Sequence, residues 1–182
     1  MIRLKQFYKD QLVPLLKKEM NLSNVMEVPK LTKITINMGI KDLSKNKNYI
    51  EQISKEMNAL SGQKPIITRA KKSISAWKIR EGFPIGVKVT LRQNSMYDFM
   101  EKLIWVVIPR ILDFRGFPIT SFDGQGNFNV GIKEYIAFPE IDFDQVEQMR
   151  GLDIAITTST KKDHEAHLLL KGLRFPIIEK KG

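Results

Sequence analysis

Two stretches of alternation constrain this chain more than any other feature. In LTKITINMG (31–39), Leu31, Ile34, Ile36 and Met38 stand against Lys33, Thr35 and Asn37. In GVKVTLR (86–92), Val87, Val89 and Leu91 stand against Lys88, Thr90 and Arg92. A period of two places successive side chains on opposite faces, so each stretch predicts a strand with one buried and one wet side. Neither wet side carries an acid. One such face reads as ordinary solvated sheet, because nothing about a single strand demands more. Two of them beside a basic loop favour a surface for RNA backbone and sugar, where Thr, Asn and Gln bond phosphate and 2′-hydroxyl groups and Lys and Arg supply charge. Gln63 and Lys64, just past a predicted helix end, extend that surface.

The remaining periodicities fill in the fold. Leu4, Phe7, Leu12 and Leu15/Leu16 predict an N-terminal amphipathic helix ending by Asn21. Ile50, Ile53, Met57 and Leu60 follow a 3-4-3 spacing and predict a second helix, capped by Gly62. PIITR is a short strand candidate. A third helix follows Asn94/Ser95 with Phe99, Leu103 and Val107 inward, and Pro109 strains its last turn. SFDGQGNFNVGI predicts a glycine-rich turn feeding a strand, and LDIAITTST a further strand. DHEAHLLLKGL predicts a closing helix, stopped by Gly172 and Pro176. Helices and strands are interspersed without regular βαβ spacing. That implies an α+β fold, a mainly antiparallel sheet packed against helices with a long basic loop, in one domain spanning 1–182.

Charge narrows the partner. The chain of 182 residues has a net charge of +10 and a pI near 9.7. Residues 62–92 hold eight cations (Lys64, Arg69, Lys71, Lys72, Lys78, Arg80, Lys88, Arg92) against Glu81 alone, which accounts for most of that excess. Such a balance favours phosphate-rich partners. A membrane is disfavoured: the longest apolar run, LIWVVI, stops at Pro109, far short of a bilayer span. The N-terminus has no apolar h-region and predicts no secretory signal, hence a cytosolic protein. With no cysteine, thiol catalysis and cysteine-based zinc sites are excluded.

Residues 70–86 have no period, and Gly82, Pro84 and Gly86 punctuate them, so they predict a long loop protruding over 73–84. It sets Trp77 and Phe83 among Lys71, Lys72, Ser73, Lys78 and Arg80. Basic groups interleaved with aromatics suit a reach toward RNA; alternatively Trp77 tucks back and anchors the loop.

Other motifs carry less. Gly124, Gly126 and Gly131 miss the dinucleotide-binding spacing and lead into a strand, so they read as turn residues. Glu140, Asp142, Asp144 and Glu147 suggest a magnesium site only if a phosphate cradle accompanies them, and none is evident; solvation or a basic partner fits them better. His164 and His167 stand at i,i+3, one short of the zincin pair, and read as a solvated helix face. No cofactor or metal is implied.

VPKLTKITINMG, SGQKPIITRAKKSISAWKIREGFPIGVKVTLR, IPRILDFRGF, SFDGQGNFNVGIKEYIAFPEIDFD and RGLDIAITT closely resemble the bacterial 5S-rRNA-binding protein family of the large ribosomal subunit, number five in the universal scheme. The likeness runs in order over residues 8–175. It implies an α+β structural protein of the central protuberance, with no enzymatic activity, that binds 5S rRNA beside 23S rRNA and the other 5S-associated proteins. The resemblance places 5S contact at Asn37, Gln63, Thr90 and Arg92. It directs the 73–84 loop at the tRNA in the peptidyl site, and implies an inter-subunit bridge to a basic protein of the small-subunit head, a possible partner for the acidic 140–144 segment. The chain departs from the family's pattern at Gln93, Asn94 and Ser95, and at Leu112, where an arginine is usual. The rivals are a metal-dependent RNA-processing enzyme using Glu140, Asp142 and Asp144, and a general cytosolic RNA-binding chaperone.

Overall fold

The structure, a computed structural model, describes residues 3–40, 47–141 and 149–178. The chain opens with α1 (Arg3–Phe7), a π turn (Tyr8–Leu12) and α2 (Val13–Glu19). Pro14 explains the interruption: it has no N–H to donate, and its ring crowds the carbonyl four residues back. The wide turn relieves this, and the Val13 N–H bonds the Tyr8 carbonyl, five residues back. Leu4, Tyr8, Leu12 and Leu16 are buried, one every fourth residue, whereas Leu15 is exposed. Tyr8 thus takes the core place expected for Phe7. Its hydroxyl donates to the Pro29 carbonyl at 2.8 Å, and burial pushes its pKa up to about 12.

Strand β1 (Leu31–Gly39) buries Ile34, Ile36 and Met38 completely. Helix α3 (Lys47–Ser61) buries Ile53, Met57 and Leu60, with Tyr49 rather than Ile50 completing the stripe. Gly62 stops it in the left-handed region (φ 68°), its N–H bonded to Asn58. Strands β2 (Ile66–Arg69) and β3 (Pro84–Leu91) follow as an antiparallel pair. Then come α4 (Gln93–Lys102), a second π turn (Leu103–Val107) and α5 (Ile108–Arg110), where Pro109 repeats the arrangement around Pro14. The expected strain at Pro109 is therefore absorbed by the turn before it. The remaining elements are β4 (Phe117–Pro118), β5 (Phe128–Ile132), β6 (Leu152–Thr158), α6 (Asp163–Gly172) and β7 (Ile177–Ile178).

The main sheet has the order β2-β3-β1-β6-β5; β4 and β7 form a separate parallel pair. At one end, the last residues of β1 lie beside the first of β3: the Ile40 N–H bonds the Ile85 carbonyl at 2.9 Å. That is the arrangement of antiparallel neighbours. The architecture is the α+β class expected from the residues.

The chain groups into two compact units. One comprises 1–34, 92–130 and 155–182, the other 35–91 and 131–154. The first is largely helical and centres on an aromatic cluster in which Phe117 stacks on Phe175 (5.3 Å) and Phe128 meets Phe175 edge-on (5.6 Å). Its glycine turn closes on a carboxylate. The Gly124 and Gly126 N–H groups donate to Asp163 at 3.1 and 2.7 Å, and Asp123 accepts from Gln125 and Asn127. Asp163 thus fills the backbone concavity that a phosphate would occupy in a nucleotide-binding turn. Gly124 and Gly126 are turn residues, as expected, but Gly131 is not: it lies within β5, where the inward alternation of Phe128, Val130 and Ile132 runs straight through it.

Gly126 has a second constraint: at φ 75°, a Cβ would lie 2.3 Å from the Thr160 carbonyl oxygen. Gly126→Ala is expected to cost about 2–4 kcal/mol, combining left-handed strain with overpacking. A urea titration checks this, and an unchanged midpoint would refute the tight approach.

The second unit centres on α3 against β3. It also holds Arg150, buried beside Glu56 and Tyr49.

Candidate RNA interface

Because Ile34, Ile36 and Met38 of β1 and Val87, Val89 and Leu91 of β3 face the core, the alternate residues project from the other face of the sheet. That brings Thr35 and Asn37 of β1 onto one surface with Lys88 and Thr90 of β3. Lys33 continues the row along β1. Arg92 continues it just past β3 in extended backbone (φ −137°, ψ 163°), before Gln93 (φ 51°) turns the chain into α4.

Gln63 joins this surface through a bond that sequence spacing does not reveal. Its side-chain Nε2 donates to the Thr90 carbonyl at 3.3 Å. The turn that positions it is held by Ser61, whose buried hydroxyl donates to Met57 (2.6 Å) and accepts from the Gln63 N–H (3.3 Å). Among the described residues, the Gln63 side-chain carbonyl oxygen, the Asn37 amide and the Thr35 and Thr90 hydroxyls take no part in any hydrogen bond. An amide oxygen can accept twice and an amide nitrogen donate twice, so these groups remain open to phosphate and ribose. Lys64 is exposed beside Gln63. Among the described residues no carboxylate comes within 4 Å of Lys33, Lys64, Lys88 or Arg92, so these cations are not neutralised there.

Two residues of this face escaped the sequence reading. The β2–β3 register sets Ile66 opposite Lys88 and Thr68 opposite Gly86, so both share the polar side. Ile66 is 67% exposed. Such a residue offers an apolar contact for a ribose or base, and only the register reveals it. Gly86 is needed there, since a Cβ would stand 2.8 Å from the Met38 carbonyl oxygen and 3.0 Å from Thr68 Oγ1.

The 70–83 segment is not the long loop that its lack of period suggests. It continues the β2–β3 hairpin: Ala70 and Gly82/Phe83 exchange backbone bonds, and Ile74 and Ile79 form a bridge with bonds of 2.9 and 3.1 Å. A 3₁₀ turn (Ser75–Trp77) and a left-handed Lys78 (φ 53°) reverse the chain at the tip. Ser73 accepts the Glu81 N–H, and Arg69 donates to the Gly82 carbonyl. The alternation was invisible because both faces of this tip are wet, so neither has to be apolar. Trp77 is 69% exposed, which removes the alternative that it tucks back. Lys71, Lys72, Ser73, Lys78 and Arg80 flank it along the chain, and all five are exposed. The tip is therefore an ordered basic hairpin displaying an indole.

The other candidates stay peripheral. Glu140 is exposed, whereas Asp142, Asp144 and Glu147 lie outside the described residues. His164 lies on α6, and His167 meets the Phe122 ring edge-on. No described helix is long and apolar enough to cross a membrane.

Residues 24–80 match the model of the family described as ribosomal protein L5, and residues 84–177 match the model of that family's C-terminus. The chain is 52% identical over 177 residues to the large ribosomal subunit protein uL5 of Psychrobacter cryohalolentis, covering 97% of this chain and 99% of that protein. The uL5 proteins of Francisella philomiragia (52% over 177 residues; 97% and 99% covered) and Stenotrophomonas maltophilia (52% over 175 residues; 96% and 97%) are similar to the same degree.

Proposed function

The chain belongs to the ribosomal protein L5 family, and from that premise we propose that its sheet face binds 5S rRNA and helps attach it to the large subunit. Membership makes it a structural, non-enzymatic constituent of the large ribosomal subunit, working in the bacterial cytoplasm. On the proposed reading, Asn37, Gln63, Thr90 and Arg92 contact the RNA directly, with Lys33, Thr35, Lys64 and Lys88 around them. Selectivity comes from fixed polar groups fitting a particular RNA shape, and most of the free energy from cations on phosphate. The carrying observation is the bond from Gln63 to Thr90, which pre-positions the Gln63 amide oxygen beside the Asn37 amide, the Thr35 and Thr90 hydroxyls and cations that have no partner among the described residues.

The hairpin tip, 73–84, meets a different RNA on this reading, the tRNA in the peptidyl site. Trp77 stacks or packs on ribose, and Lys71, Lys72, Lys78 and Arg80 hold phosphate. One domain then carries both contacts, with 23S rRNA and the other 5S-associated proteins as neighbours. A bridge to a basic protein of the small-subunit head completes the proposed set.

Binding measured against 5S rRNA and an unrelated RNA of equal length tests the central claim. We expect 5S rRNA to bind more tightly, with affinity falling as salt rises. Four face cations engaging phosphate would give a log–log slope of roughly −3 to −4. Equal affinity for the two RNAs would overturn the specific reading and leave a general RNA-binding chaperone.

A further inference from the structure

The helical unit carries a groove that neither proposed RNA contact uses. One wall is a stripe of α4 and the π turn after it, where Asp98, Glu101 and Trp105 recur at i, i+3 and i+7, on one side of the helix. Leu4 and Phe7 of α1, with Arg3, form another part of the lining, and Arg174 after α6 completes it. The hollow measures about 930 Å³, at the upper end of the range for ligand pockets.

Three features point to a ligand with both a flat aromatic face and a negative charge. First, the π turn buries Leu103, Ile104 and Val107 but leaves Trp105 55% exposed. An indole left half in water on an otherwise satisfied turn is available for stacking. Second, Arg174 sits in the left-handed region (φ 64°), in a helix-terminating turn closed by the Arg174 and Phe175 N–H groups on Lys171 and Leu170. Glycine takes this position without strain, yet here an arginine holds its guanidinium 5.9 Å from both the Phe7 and Trp105 ring centroids. Third, the charge is biased. Arg3 and Arg174 have no carboxylate within ion-pair distance among the described residues, while Glu101 is engaged by the Leu4 N–H at 3.2 Å. Among the described residues Asp98 is the one lining acid left uncommitted.

We propose that this groove takes an unpaired RNA base, stacked on Trp105, with its flanking phosphates on Arg174 and Arg3. RNA satisfies both requirements, since every base has a π face and every linkage a charge. An acidic peptide would match the guanidinium groups and leave the indole unused. The site lies wholly within the helical unit and does not rest on the sheet face binding 5S rRNA.

The test uses the full chain with Trp77→Phe, which leaves Trp105 as the sole tryptophan and its emission as a local reporter. Single-stranded r(A)₅, an abasic ribose-phosphate pentamer and pentaglutamate are titrated in turn. We expect saturable quenching by r(A)₅, about tenfold tighter than by the abasic chain, and about tenfold weakened by Arg174→Gly. Arg174→Gly relieves the left-handed strain, so its urea midpoint should not fall; Arg174→Gln serves if it does. Quenching that is equal for the abasic chain, stronger for pentaglutamate, absent, or indifferent to Arg174 overturns the proposal. 5S rRNA binding by the same variants is read in parallel. Its retention while r(A)₅ binding is lost separates this groove from the sheet face, and its failure in the parent would count against the sheet-face reading alone.

Discussion

Glu56→Ala is expected to destabilise the protein by about 3–5 kcal/mol, because it strands a buried positive charge. Arg150 is only 6% exposed. Its Nη1 donates to Glu56 Oε2 at 2.8 Å and its Nε to the Tyr49 hydroxyl at 3.3 Å, and its guanidinium lies 4.7 Å over the Tyr49 ring. Among the described residues Nη2 has no acceptor, so the site already runs one hydrogen bond short and has no substitute for the carboxylate. Tyr135 adds to the pressure. Burial pushes its phenol up to about 12, and the Glu56 charge acts in the same direction. Removing the acid alone should lower the urea midpoint by roughly 2 M, taking an m-value of about 2 kcal/mol/M. The double replacement Glu56→Met, Arg150→Leu should recover most of that loss, since an apolar pair of similar volume carries no desolvation penalty. A single variant as stable as the parent would show that Arg150 finds water or another acceptor.

Arg92→Glu is expected to weaken 5S rRNA binding by about a hundredfold or more, since on the proposed reading a cation that meets phosphate becomes an anion on a face with no competing acid. Asn37→Ala and Thr90→Ala should each cost about ten- to a hundredfold, the range for one hydrogen bond to a charged group. Lys78→Ala and Arg80→Ala at the hairpin tip should leave 5S affinity within about threefold and instead weaken tRNA contact. All these side chains are exposed or half-buried, so stability should hold within about 0.5 kcal/mol. Binding measured on both RNAs for both sets makes the comparison. Equal losses across the sets would mean that net charge, rather than a shaped surface, dominates.

How far the residues alone reach is clearest at the two halves of the 62–92 segment. Its end, 86–92, alternates because one side of β3 is buried, and burial is what forces a period on a sequence. The hairpin between β2 and β3 has neither face buried, so an ordered two-stranded arm reads as a loop. Ile66 shows the same limit from the other side. An isoleucine in a short strand reads as core, and only its pairing with Lys88 puts it on the polar face. Arg150 precedes the strand LDIAITT, and its acid stands 94 residues earlier in the chain, so no local pattern pairs the two.

By itself the sequence determined the periods wherever one face is buried: the strands at 31–39 and 86–92, the amphipathic helices, where Gly62 ends α3, and that the wet sides of β1 and β3 hold no acid. These are local consequences of backbone geometry and of burying one face. The tertiary structure alone decided what those faces meet. It brought Gln63 to the Thr90 carbonyl, closed the arm into a hairpin, buried Arg150 on Glu56 and set Arg174 between Phe7 and Trp105. Each of those pairings joins residues apart in the chain, and such pairs are chosen when apolar faces are buried together, a choice that no local period encodes.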